Sequence, residues 1–223
     1  MMQQVLSSMN SLVGALFLLS AVVMMTTRQT QNVLRLFVVQ SVLLAASAFI
    51  LIWVRHSAEL IVVVLITITF KTVIIPLVLN RSLGREVRRR RELEFVVNTP
   101  VSLLIALGIT ALSYFFVEPL VGTSGTAVSE NLAMGLDVLL IGVYTLTVRR
   151  EAMPQILALM MIDNGAFYTG IAITRASALI ELAAGLEGIM VIVVVVLLTR
   201  ALVQQVGTTE TGALTTLKEG ESK

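Results

Sequence analysis

Five ionisable residues sit where the surrounding sequence is apolar enough to lie in a lipid bilayer: Lys71, Asp137, Asp163, Glu181 and Glu187. A charge at the centre of a bilayer costs about 2.5 to 3.5 kcal/mol on insertion scales, so each of the five needs a reason, and proton or ion movement is the leading one. The chemistry available is acid–base. Removal from water favours the neutral carboxylic acid, while a nearby ammonium favours the carboxylate, so a lysine that moves toward or away from an acid switches whether that acid holds a proton. Carboxylate and helix-interior carbonyl oxygens also suit sodium, which stands as the alternative ion.

Spacing places most of these groups at one depth. Counted from the nearest arginine at about 1.5 Å per residue, Lys71 lies about 15 Å from Arg81, Asp137 about 18 Å from Arg149, Asp163 about 20 Å from Arg150 and Glu187 about 20 Å from Arg200. All four fall near the middle of a hydrocarbon core about 30 Å thick, whereas Glu181, about 28 Å from Arg200, approaches the outer surface and can reach water. A midplane row of this kind is the pattern of a proton relay. The plainer reading is charge pairing, with Lys71 neutralising one acid and holding helices together. His56 and Glu59 read as solvated residues of an outer loop.

The elements that must position this row are long apolar helices. Of 223 residues, 57% are hydrophobic and 13% charged, with a mean hydropathy of +0.93. Seven apolar segments, at about 5–26, 33–54, 59–80, 96–118, 131–148, 153–174 and 177–200, each approach the roughly 20 residues that span a bilayer as a helix. Runs such as VIVVVVLL lack the alternation of a membrane barrel. The predicted fold is therefore all-α, a polytopic membrane protein of seven transmembrane helices. Its basic residues set the orientation: all but Arg55, Arg175 and the intramembrane Lys71 fall on one side when the spans number seven. That places the N-terminus outside and the C-terminus in the cytoplasm, whereas an even number of spans would scatter the arginines over both sides.

Four helices occupy residues 1–118, with an Arg-rich cytoplasmic link at 81–95. An outer loop follows at 119–130, then a three-helix module at 131–203 and a flexible cytoplasmic tail at 204–223. Arg88, Arg89, Arg90 and Arg91, with Arg149 and Arg150, read as cytoplasmic anchors; the arginine run also suits an acidic partner or anionic lipid. Pro100 and Pro154 belong in first turns and Pro119 closes a helix, but Pro76 falls inside the third span, where it frees the carbonyl of Thr72 and kinks the helix beside Lys71. Gly165, Gly170, Ala184, Gly185 and Gly188 allow close helix packing. The start MMQQVLSSMN lacks a basic signal-peptide region and is expected to be retained.

With no cysteine and one histidine, the chain holds no thiolate-ligated cluster or zinc site and no haem with two His ligands. No catalytic or cofactor-binding residues are predicted within it. The basic pI reflects topology, and no nucleic-acid partner is expected; the lipid bilayer is the evident one.

The stretch VRREAMPQILALMMIDNGAFYTGIAI, followed by LIELAAGLEGIMVIVVVVLLTRAL, resembles the C-terminal part of the family of E-type hydrogenase-4 membrane components. ITFKTVIIPLVL is similar to that family's Lys-plus-Pro helix, and GALTTLKEG to its tail. The last three helices are also similar to the K-type subunit of complex I and the C-type subunit of Mrp antiporters, sharing a double arginine, here Arg149 and Arg150, ahead of an acid in each of two helices. Here the sixth helix carries Asp163 in place of a glutamate, about one turn deeper. In the seventh, the E-x-x-x-G-L pattern falls on Glu181, Gly185 and Leu186, while depth favours Glu187.

The resemblance implies a non-catalytic membrane-arm subunit of a group 4 NiFe-hydrogenase or formate hydrogenlyase-like complex, in a bacterial or archaeal cytoplasmic (inner) membrane. The NiFe centre and Fe–S clusters would belong to partner subunits of the peripheral arm. The chain would carry protons or sodium alongside antiporter-like and complex I-like membrane subunits. Two other readings stand beside it: an Mrp-type cation/proton antiporter or complex I-like subunit, and a structural membrane spacer whose charges are paired.

Overall fold

A computed structural model describes residues 2–55, 59–82, 97–121, 126–150 and 152–173. The seventh apolar stretch with Glu181 and Glu187, the arginines Arg88 to Arg91, and the C-terminal tail lie outside the described residues. Every element within them is helical: α1 (Met2–Thr26), α2 (Thr30–Arg55), α3 (Glu59–Thr67), a π-helical turn π1 (Ile68–Ile74), α4 (Ile75–Ser82), α5 (Thr99–Val121), α6 (Thr126–Val148) and α7 (Ala152–Ile173). Five stretches are long and apolar enough to cross a membrane: α1, α2, the continuous rod α3–π1–α4, α5 and α6. The 22-residue α7 carries Asp163 and Asn164 at its middle.

Proline placement explains two local features. Pro100 and Pro154 fall in the first turns of α5 and α7, as the missing N–H there costs little. Pro76 would leave the Thr72 carbonyl without its donor, and just ahead of it the backbone widens into π1, where the Ile75 N–H donates to the carbonyl of Phe70. Pro119 does not end its helix: α5 continues through Leu120 and Val121, because a proline in the final turn frees one carbonyl and apolar residues follow. With α6 beginning at Thr126, most of the 119–130 stretch expected to be a loop is helix.

The antiparallel pair α6–α7 makes the most extensive contact in the bundle, and three glycines permit it. A Cβ built at Gly165 would run into the backbone of Leu139, at Gly135 into Thr169 and at Gly142 into Ile162, so the two backbones approach closer than any side chain allows. α2 packs against α1, α7 and the rod, while α6 lies between α1, α7 and α5. One apolar core joins all these helices, from Phe17 and Phe37 through Leu60 and Ile141 to Met161. Its most enclosed member is α7, which carries Asp163 and Asn164. Large apolar side chains, among them Leu104, Leu107, Phe115 and Leu65, face outward from α5 and the rod. This is the distribution that a lipid solvent selects, since hydrocarbon accepts leucine on the outside and leaves polar groups to find partners within.

Candidate functional site

At the middle of the rod, π1 turns Lys71 inward to meet Asp163 at the middle of α7, with Nζ 2.5 Å from Oδ2. The residues are 2% and 4% exposed, and the Lys71 ammonium also lies 5.1 Å from the centroid of the Phe167 ring. The pair thus combines a charge-assisted hydrogen bond with a cation–π contact, both strengthened by low local polarity. Ion pairing in such a place does not by itself stabilise the fold, because desolvating two charges offsets their attraction. Its separation does have a large effect, since either partner alone is an uncompensated buried charge.

Asp163 leads into a second polar pair. Its neighbour Asn164 turns toward α2 and donates from Nδ2 to Oε1 of Gln40 at 3.1 Å, both side chains being fully buried. Gln40 Nε2, Asn164 Oδ1 and Asp163 Oδ1 have no hydrogen-bond partner among the described residues. One turn further along α7, the Tyr168 hydroxyl donates to Asn131 Oδ1 at 2.9 Å. Tyr168 stacks on Phe17 at 4.8 Å, and its hydroxyl occupies space that a Cβ at Gly14 would claim, only 2.5 Å away. Beside it Ser47 donates to Asn10 at 2.6 Å.

Asp137 stands apart. Sequence depth places it in the same row as Lys71 and Asp163, and it does sit mid-helix, but it faces α5, beside Thr110 and Tyr114, rather than α7. It is 0% exposed, and apart from the Thr110 hydroxyl beside it neither carboxylate oxygen has a hydrogen-bond partner among the described residues. The cause is helical phase: Gly135 and Gly142 occupy the α7 face, and residue 137 lies about 200° round from residue 135. The mid-helix position was legible from counting; azimuth was not.

Arg149 also departs from a simple solvated anchor, being only 2% exposed. Its Nη2 donates to the carbonyls of Met25 and Thr27, each at 2.8 Å, where α1 ends. Cationic capping of terminal carbonyls complements the helix dipole. Arg150 is exposed beside it. The contact sets α1 parallel to α6, as Ser11 meets Glu130 at the other end of the same two helices. Arg28, Arg149 and Arg150 consequently share one end of the bundle.

The described residues therefore define a helical bundle of membrane-spanning character with a lysine–carboxylate pair at its centre. An uncharacterized protein of Mycobacterium tuberculosis, Rv0085, is 28% identical over 202 residues, covering 90% of this chain and 92% of that one. Hydrogenase-4 component E of Escherichia coli is 26% identical over 149 residues, 66% of this chain and 68% of its own length, and the Shigella flexneri protein of the same name matches equally. This is a distant relationship to a hydrogenase-4 component. No protein-family model matches the chain, and no solved structure matches it.

Proposed function

We propose that this chain is a non-catalytic membrane subunit of a hydrogenase-like complex, in which Lys71 and Asp163 handle protons, or sodium, in step with electron transfer in partner subunits. The observation that carries the chemistry is the buried pair itself. An apolar bundle has no need of a lysine facing an aspartate at its centre, and replacing such a pair by packed hydrophobic residues is often neutral or stabilising. Asp137, Glu181 and Glu187 extend the proposal as further acids of the pathway, and the widened turn at π1 beside Pro76 gives Lys71 a place to move from. Membership of the complex rests on the likeness to hydrogenase-4 component E. Seven spans in a bacterial inner membrane, N-terminus outside, complete the reading, with the NiFe and Fe–S centres in other chains.

Purification of the full-length protein from its native membrane in mild detergent tests the assignment. A nickel-containing large subunit is expected to accompany it; a stable lone protein would sink the complex reading. A second reading, the structural spacer, is favoured by the direct pairing of Lys71 with Asp163. It expects neutral substitutions at Asp163 and Glu187 to alter assembly alone, whereas the proton-handling reading expects assembled complex with lost translocation.

A further inference from the structure

The two halves of the bundle on either side of Lys71–Asp163 are built differently. Toward the Arg149 end, the space between α1, α2, α6 and α7 is filled by buried apolar side chains, including Phe37, Met24, Ile141, Ile156 and Met160. Two buried hydroxyls there turn back onto their own helices, Ser41 to the carbonyl of Phe37 and Thr145 to that of Ile141. The side-chain contacts that do cross between elements in that half lie toward its far end and off this space, Ser102 with Tyr144 between α5 and α6 and Gln155 with the Arg149 carbonyl, and among the described residues none of these is hydrogen-bonded on to Asp163.

Toward the end where α1 and α6 begin, polar groups follow one another. Asn164 and Gln40 stand next to the ion pair, and their amides retain a donor and an acceptor without partners among the described residues. Asn164 and Tyr168 are one turn apart on α7, and Gln40 and Ser47 two turns apart on α2, so each pair shares a helix face. These two rails converge where Tyr168 meets Asn131 and Ser47 meets Asn10. Their sequence neighbours, Ser11 and Glu130, hydrogen-bond at 3.3 Å and are only partly buried. Exposure thus rises from Gln40 to Glu130 as the polar groups approach the bundle end. Buried polar groups with spare donors and acceptors are where proteins hold ordered water.

We infer that the Lys71–Asp163 pair is served by a one-sided hydrated half-path, which opens at the N-terminal ends of α1 and α6 and narrows at the Tyr168 ring. A proton entering at Glu130 travels inward along water and the Asn131, Tyr168 and Asn164 side chains to Asp163, from which Lys71 withdraws as the acid becomes neutral; return of Lys71 sends the proton back. The apolar half forbids leakage straight through to the Arg149 end. In the orientation that the arginines predict, the half-path faces the outer side. What the track carries rests on the proton-handling reading above, but its existence does not.

The protein contains no cysteine, so single cysteines can report water access without background. The experiment uses the full chain in native membrane vesicles of both orientations, labelled with a membrane-impermeant cationic methanethiosulfonate. Asn10→Cys and Ser47→Cys are expected to react from the side where α1 begins. Ala21→Cys and Ala158→Cys, equally buried in the apolar half, should react from neither side. Gln40→Cys, beyond the constriction, should react slowly in the native background and about tenfold faster with Tyr168→Ala, the factor that accompanies a barrier lower by about 1.4 kcal/mol. Tyr168→Phe keeps the ring and should leave that slow rate unchanged. Equal protection of the Asn10, Ser47 and Ala21 cysteines would overturn the half-path, as would reaction from the Arg149 side. Because labelling requires no translocation, the half-path can fail while the proton-handling reading stands, and the reverse.

Discussion

Lys71 and Asp163 form the buried pair on which the proposed function rests, and their burial makes the consequences of substitution unequal. Lys71→Ala strands a carboxylate in the core, and loss of one partner of a buried pair costs about 3 to 5 kcal/mol. Replacing both, as Lys71→Met with Asp163→Leu, removes the desolvation cost together with the attraction and should return stability to within about 1 to 2 kcal/mol of the original. The expected outcome is a double variant that assembles well and translocates nothing, measured by detergent-melt temperature and by proton uptake of the intact complex. Full translocation in the double variant would remove the pair from the mechanism. Asp137 provides the contrast, since it carries no cationic partner among the described residues and should respond to Asp137→Asn with little change in stability.

At the scale of elements, the position of α7 depends on glycine. Gly165 abuts backbone, the amide and Cα of Leu139 together with the carbonyl of Gly135, so an added methyl cannot be absorbed by a side-chain rotation. Gly165→Ala should push α7 from α6 and lower stability by about 1 to 3 kcal/mol, the usual range for overpacking. Thermal unfolding in detergent checks this, with Gly108→Ala as the control, because nothing lies within 4 Å of a Cβ there. Equal melting temperatures for the two variants would show the α6–α7 seam to be looser than its geometry. Glycine enrichment on the last helices was visible in the sequence as a capacity for close packing, but only the folded pair identifies Leu139, Thr169 and Ile162 as the backbones being approached. The π-helical turn is similar: Pro76 announces a disturbance, and its outcome, a widened turn that carries Lys71, depends on the helices packed around it.

For the whole molecule, the parallel arrangement of α1 and α6 agrees with an even number of reversals between them, as four intervening connections require. Arg28, Arg149 and Arg150 lie at one bundle end, as the proposed single cytoplasmic side requires. A fluorescent reporter fused to the C-terminus is expected to fold and fluoresce, and an alkaline phosphatase fused there to be inactive. Phosphatase activity at the C-terminus would require a different span count or the opposite orientation. The half-path inferred above inherits its outer-facing assignment from this experiment, while its one-sidedness belongs to the distribution of polar groups within the bundle.

By itself, the sequence determined the apolar character of this protein, its helical class, the approximate limits of the described spans and the mid-helix positions of Lys71, Asp137 and Asp163. These depend on composition and on rise per residue, which are local properties. Tertiary structure alone decided which groups at a common depth meet. Helix rotation and neighbour choice brought Lys71 to Asp163, turned Asp137 toward α5, buried Arg149 against the end of α1, and joined Gln40, Asn164, Tyr168 and Asn131 on one side of the ion pair. Those residues were visible as polar interruptions in apolar runs, yet nothing in a single chain of letters specifies the azimuth at which two separate helices face one another, because that angle is set by the packing of every helix around them.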